Sequence, residues 1–469
     1  VSELDLGLKV GVRRLLWAMG QSTRLDVELR GERRPQVAVA ADRRTRRGGY
    51  ETFTDLDVLG VIAAPGFRVT TTIADCKSGT RDKPTARMFW ARGVADLFGA
   101  DQVMLVREHE VNDGTRQLSG RLGISVMTAR DLVTMQTLYG APARASSSLE
   151  VLFDKGAVAA HLAAFNGLDR RLNRLVDFRS FDYWVNEPHR NPMQLVAHLG
   201  DARRLLEPRN PTHLALFVDL AWMFTFSLIR ALGYAQGAFV NELDRGVQEY
   251  LFGGARDLRE KRELAALLQA VAPEGAKKRD HLPEYYPALL ELSARLLRRP
   301  DEVQHVLRYA ELTSALMAAK QSVTIAEVFR DDFRPVAAKL LSDVCGFLVS
   351  AATLNPEFRQ QARAWLLGEE APLDRRQPRS AGEQAGLQSA TEGAPDVTGS
   401  AGDAPASADV EDAADVRARA KPQPVRPGTS STWGQDELEL LAAGLDGGSD
   451  DDRDEGAGDR EDTDESESN

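Results

Sequence analysis

The sequence predicts an α/β domain at the N-terminus, an all-α domain after it, and a disordered acidic tail. Three observations carry this. Over residues 1–140 helical and extended patterns alternate; over 149–370 the pattern is helical throughout; over 371–469 there are 24 Asp+Glu against 9 Lys+Arg and few large apolar residues. A segment of that composition buries too little apolar surface to offset its chain entropy. The net charge of −11 is therefore a property of the tail: residues 1–370 carry 50 basic and 46 acidic groups, a balance that leaves a nucleic-acid partner open.

Within the first domain, Leu6 to Met19 has apolar residues at Leu8, Val12, Leu15, Leu16 and Met19, a helical stripe closed by Gly20. Arg24–Leu29 and Val37–Ala40 are weak strand signals. Thr52–Ile62 and Phe67–Lys77 are strong ones, rich in Val, Ile, Thr and Phe, with Ala64-Pro65-Gly66 as the turn between them. Pro84 opens a helix to Phe98, with Met88, Ala91, Val94 and Phe98 on one side and Gly99 past its end. Gln102–Arg107 reads as a strand, Gln117–Leu122 as a short helix, Ile124–Thr128 as a strand and Ala129–Leu138 as a helix. This order is an α/β sandwich whose later strands join by parallel crossovers.

The second domain contains a local echo, Glu187-Pro-His-Arg-Asn-Pro192 and Glu207-Pro-Arg-Asn-Pro211, in which Asn191 and Asn210 are expected N-caps followed by proline at the first helical position. Its most apolar run, Leu214–Ile229, contains Asp219 and ends at Arg230, so a buried helix is expected rather than a membrane span. Two cysteines, Cys76 and Cys345, make neither a disulfide framework nor a cysteine zinc site, and fit a reducing, cytoplasmic setting. No apolar segment precedes the first charged residues, so no signal peptide is expected. The histidines show no metal-ligand spacing, and no Walker A sequence, dinucleotide-binding loop or serine elbow occurs.

The chemistry-bearing stretch is Thr54-Asp-Leu-Asp-Val-Leu-Gly60 with Asp75-Cys76-Lys77 on the next strand. A hairpin folded about residues 65–66 brings position 57 opposite about position 74, which sets Asp57 beside Asp75. Residues two apart on a strand share a face, so Asp75 and Lys77 point the same way, and cross-strand neighbours lie ~5 Å apart. Two carboxylates so placed can share one Mg²⁺, or Mn²⁺ in its stead, through oxygens at ~2.0–2.1 Å. Phosphodiester cleavage needs such an ion, and a neighbouring lysine can orient or deprotonate the attacking water and neutralise developing charge.

These residues, in this order of elements, resemble the PD-(D/E)xK superfamily of restriction-endonuclease-like nucleases. Over roughly residues 1–140 the wording is most similar to prokaryotic restriction or defence nucleases. The resemblance implies a restriction-endonuclease-like α/β fold, with Asp57 and Asp75 as metal ligands, Cys76 contributing its main-chain carbonyl, and Lys77 as the catalytic lysine. It implies a Mg²⁺-dependent endonuclease acting on DNA in restriction, phage defence or DNA processing. Two departures stand out: Leu56 rather than proline precedes Asp57, and no glutamate occurs between Leu6 and Met19, where many members carry one. Glu3 and Glu51 are the substitutes near at hand.

Around this core, Asp55 shares the face of Asp57 and is a candidate outer ligand. Arg43, Arg44, Arg46 and Arg47 precede the Asp57 strand and are candidate phosphate contacts, as is Arg87 on the helix after Lys77. In the tail, Trp433, Leu438 and Leu441 belong to an amphipathic island over 432–445 of the kind that docks in a partner's groove. The helical domain is the other candidate surface for a protein partner. The competing expectation is a non-catalytic scaffold that binds nucleic acid or protein and keeps the nuclease fold.

Overall fold

The computed structural model describes residues 3–31, 52–79, 83–141, 148–271 and 281–368. The expected strand at Val37–Ala40, the arginines 43, 44, 46 and 47, Glu51, and the tail with Trp433, Leu438 and Leu441 lie outside the described residues.

Helix α1 (Glu3–Ala18) leads into β1 (Ser22–Arg30), β2 (Thr52–Ala64) and β3 (Arg68–Lys77), followed by α2 (Pro84–Phe98), β4 (Gln102–Arg107), α3 (Asp113–Leu122), β5 (Ile124–Thr128) and α4 (Ala129–Leu138). The strands form one mixed sheet in the order β1-β2-β3-β4-β5. β1/β2 and β2/β3 are antiparallel, while β3/β4 and β4/β5 are parallel and joined by the crossovers through α2 and α3. The weak strand signal at Arg24–Leu29 is a full nine-residue strand. The short helix expected from Gln117 starts four residues earlier because the Asn112 side chain accepts a hydrogen bond from Thr115 N at 2.8 Å and caps it.

Both faces of the sheet are covered. On one side Leu8, Val12, Leu15 and Leu16 of α1 and Leu132 of α4 pack against Val58, Ala74, Cys76, Met104 and Val106. On the other, Leu59, Val61, Ile73, Val103 and Leu105 share a continuous core with α2 and the helical region. Apolar residues at consecutive positions 58 and 59 serve opposite faces, which is the sequence pattern of a doubly covered strand.

The helical region comprises α5 (Glu150–Phe153), α6 (Lys155–Ala164), α7 (Asn173–Asp177), α8 (Tyr183–Val185), α9 (Asn191–Ala202), α10 (Pro211–Ala238), α11 (Leu243–Leu251), α12 (Ala255–Ala270), α13 (Tyr286–Leu297), α14 (Val303–Ala318), α15 (Ile325–Phe329), α16 (Pro335–Ala351) and α17 (Glu357–Leu367). At 28 residues α10 is long and apolar enough to cross a membrane, yet its apolar window is 94% buried inside the fold, so it is the central core helix here. Asn210 caps it, accepting from Thr212 N at 3.0 Å. Asn191 does not cap α9: a 3-10 turn at Pro188–Arg190 runs straight into the helix, and the Asn191 amide instead donates to Tyr183 O at 2.8 Å.

Residues 1–140 and the helical region belong to one compact unit, and buried polar groups stitch them together. Glu311 of α14 accepts from Ser22 Oγ at 2.8 Å and Thr23 N at 2.7 Å and pairs with Arg13 Nη2 at 2.8 Å. Asp219 of α10 pairs with Arg24 at 2.9 Å and with Arg179. Trp222 Nε1 donates to Ser22 Oγ at 2.8 Å. Each of these buried charges is met by an opposite one, the condition under which such groups are tolerated in an interior.

Candidate functional site

The sheet forks at the site. Pairing between β2 and β3 ends at Val58 with Ala74, after which β2 continues with β1 as far as Thr52, while β3 continues with β4 to Lys77 opposite Arg107. The register carries Asp57 opposite Asp75, one position from the expected partner. Where the ladder stops, a side chain takes over: Cys76 N donates to Asp57 Oδ2 at 2.7 Å. Asp57 thereby closes the end of a strand with its carboxylate, which fixes that group against β3.

The expected constellation converges. Lys77 Nζ lies 3.6 Å from Asp57 Oδ2 and 3.6 Å from Asp75 Oδ1. Asp57 and Asp75 are buried, with side chains 3% and 7% exposed, and Lys77 is 29% exposed, so the site has a solvent edge at the lysine. Burial pushes the Asp75 carboxyl above its ordinary value, and Arg87 and Lys77 pull against that shift. Cys76 is buried and unbridged; burial, reinforced by Asp57 and Asp75, pushes its thiol well up, so the side chain is a neutral apolar filler.

Arg87, a candidate phosphate contact from the sequence, holds Asp75 through two parallel hydrogen bonds, Nε to Oδ2 and Nη2 to Oδ1, both 2.6 Å. Its guanidinium also lies 3.5 Å from the centroid of the Trp90 ring.

Four groups escape the sequence reading. Lys9, in the middle of α1, lies 2.7 Å from Asp57 Oδ1 and also pairs with Asp26. Burial alone lowers its ammonium, and Asp57 and Asp26 outweigh that and hold it above its usual value. Asp26 stands opposite Asp57 on β1, in left-handed backbone at φ 51°. Asp5, in the first turn of α1, accepts from Ser78 N at 2.9 Å, just beyond Lys77. Arg107 is buried beside Lys77; its Nη2 donates to Gly79 O at 2.9 Å, and its Nη1 has no hydrogen-bond partner among the described residues. The signal for Lys9 and Arg13 was present: both interrupt the apolar stripe of a helix otherwise buried on that side. Glu3, expected as a substitute first-helix acid, is exposed at the helix start.

Asp26, Asp55 and Asp57 each offer a carboxylate oxygen within 4.8 Å of the others. Asp57 thus belongs to two acidic groups, one with Asp75 and one with Asp26 and Asp55. The donor chemistry of both suits a hard divalent cation, and Lys77 demonstrates that one cationic group reaches Asp57 and Asp75 together. In the arrangement described, protein cations hold these carboxylates: Lys9 on Asp57 and Asp26, Arg87 on Asp75.

Comparison with models of protein families, with curated proteins and with solved structures gives no match.

Proposed function

We propose that the chain is a Mg²⁺-dependent endonuclease that hydrolyses phosphodiester bonds of DNA, with the first 140 residues as a restriction-endonuclease-like catalytic unit serving restriction, phage defence or DNA processing. The observation that carries the reading is the position of Lys77 Nζ, 3.6 Å from an oxygen of each of two buried carboxylates at the point where β2 and β3 separate. A surface ion pair on an edge strand would not explain an amine shared by two acids with 3% and 7% exposure.

Asp57 and Asp75 would hold the cation, with the Cys76 carbonyl as a further oxygen donor. Such an ion, when bound, would supply polarisation of a phosphoryl oxygen and a lowered pKa for its water. Lys77 Nζ, at the solvent edge, would orient the attacking water and offset negative charge gathering on the phosphate. Arg43, Arg44, Arg46 and Arg47, a basic run that precedes the Asp57 strand in the sequence, are the proposed phosphate contacts. The cytoplasm, where DNA and Mg²⁺ coexist, is the compartment this reading calls for, and the helical region and the Trp433 segment are its proposed partner surfaces.

A second reading has its own support. Lys9 and Arg87 already neutralise Asp57 and Asp75, as they would in a scaffold that keeps the fold and has no ion to bind. A cleavage assay on duplex DNA, single-stranded DNA and RNA with Mg²⁺, Mn²⁺ or EDTA separates the two. The nuclease reading expects metal-dependent cleavage by wild type and a loss on the order of a hundredfold or more in Asp57→Ala, Asp75→Ala and Lys77→Ala. Equal rates in all four proteins would discard it, and binding without cleavage would favour the scaffold.

A further inference from the structure

We infer that Arg87 is a positioning residue that holds the metal's place on Asp75 and yields it when a phosphodiester draws its guanidinium away, so that divalent cation and nucleic acid load together. This rests on the nuclease reading and adds to it an order of assembly.

Three relationships support it. Both oxygens of Asp75 are engaged by Arg87 at 2.6 Å, and a divalent ion would need at least one of them at ~2.0–2.1 Å. A guanidinium held that close to an arriving dication repels it, so occupancy of Asp75 by one weakens occupancy by the other. The cations at the site also differ in how deeply they are buried. Lys9 is 3% exposed and pinned between Asp26 and Asp57, whereas the Arg87 side chain is 18% exposed and leans on the Trp90 ring. Arg87 is therefore the nearer of the two to solvent. Finally, a guanidinium fork released from a carboxylate finds an equivalent bidentate acceptor in a phosphodiester. Substrate is the ligand whose arrival compensates the lost ion pair.

The test measures Mn²⁺ affinity by calorimetry on the full chain, with and without a phosphorothioate DNA duplex that resists cleavage. For wild type the duplex should tighten Mn²⁺ binding about tenfold or more. Arg87→Met should bind Mn²⁺ about tenfold more tightly than wild type without DNA, and the duplex should then add little. Arg87→Lys, which keeps a cation but loses the fork, should fall between them and guards against a Met variant that folds poorly. A merely structural role predicts the opposite, because disordering the site weakens metal binding. The inference is overturned if Arg87→Met binds Mn²⁺ no more tightly than wild type, or if the duplex leaves wild-type affinity unchanged. Absence of Mn²⁺ binding in wild type and both variants would overturn the metal reading itself.

Discussion

The ammonium of Lys9 on the first helix lies 2.7 Å from Oδ1 of Asp57 on the second strand, and both side chains are only 3% exposed. The sequence has no glutamate between Leu6 and Met19, and the first helix brings a cation to Asp57. Asp57 is consequently a structural anchor as well as a candidate ligand, since its other oxygen receives the Cys76 amide.

Asp57→Asn should therefore cost stability and, on the nuclease reading, abolish cleavage. The amide oxygen can still accept from Cys76, but Lys9 loses one of its two carboxylates while remaining buried. Removing one member of a buried pair costs ~3–5 kcal/mol, and the surviving contact with Asp26 puts the loss near ~3 kcal/mol. Adding Lys9→Met should recover part of it by removing the stranded charge. Urea unfolding of the single and double variants checks this; a double variant no more stable than Asp57→Asn would deny Lys9 that role.

Much of the arrangement was legible because the decisive contacts are local. The hairpin closes at Pro65-Gly66, and counting back along two strands brings Asp57, Asp75 and Lys77 together without knowledge of the rest of the chain. Lys9, Asp26 and Arg107 were not legible from that hairpin, because they come from other elements whose approach depends on how α1 and β4 pack. The partnership of Glu311 with Ser22 and Thr23 joins residues nearly 290 positions apart, and no short-range pattern encodes it. Asn191 shows the complementary case: a good local cap signal was overridden by the 3-10 turn ahead of it.

Residues 1–141 expressed alone should not give a well-ordered monomer. Leu59, Val61, Ile73 and Val103 are at most 4% exposed on a face that shares its core with the helical region, and Arg13, Ser22 and Arg24 would lose Glu311 and Asp219. Apolar burial of this kind contributes about 25 cal/mol per Å², and its loss is added to that of the buried ion pairs. Size-exclusion chromatography and amide exchange should find aggregation or weak protection in the fragment, against one cooperative transition for residues 1–370. A folded, protected fragment would contradict the shared core.

Two glycines on α10 should respond in opposite directions to alanine. A Cβ on Gly233 would sit 2.6 Å from the Phe67 carbonyl oxygen, in a turn whose own residue is in left-handed backbone at φ 57°. That oxygen belongs to the main chain and cannot rotate aside, so Gly233→Ala should cost about 1–3 kcal/mol despite alanine's better helix propensity. Gly237 has nothing among the described residues within 4 Å of its added Cβ, and Gly237→Ala should gain up to about 1 kcal/mol. Thermal melts of the pair test whether the β2–β3 turn is seated against the helix.

Acid sensitivity should trace to His161. Its Nε2 is shut off from solvent with no hydrogen-bond partner among the described residues, and burial, helped by Arg13 and outweighing Asp219, pulls the imidazole down from 6.5 to about 3. Below pH 6.5 the unfolded chain takes up a proton that the folded chain refuses, so stability is fully present above that pH and drains away as pH falls toward 3, by up to about 1.4 kcal/mol per unit. His198, His213 and His305 are also shifted down and add the same sign, so the informative quantity is a difference between proteins. His161→Gln, which has no proton to gain, should show a shallower loss of denaturant midpoint between pH 6.5 and 5 than wild type. Parallel slopes for the two would mean that the imidazole is protonated in the folded chain and that Asp219, the acid facing it, stabilises that charge.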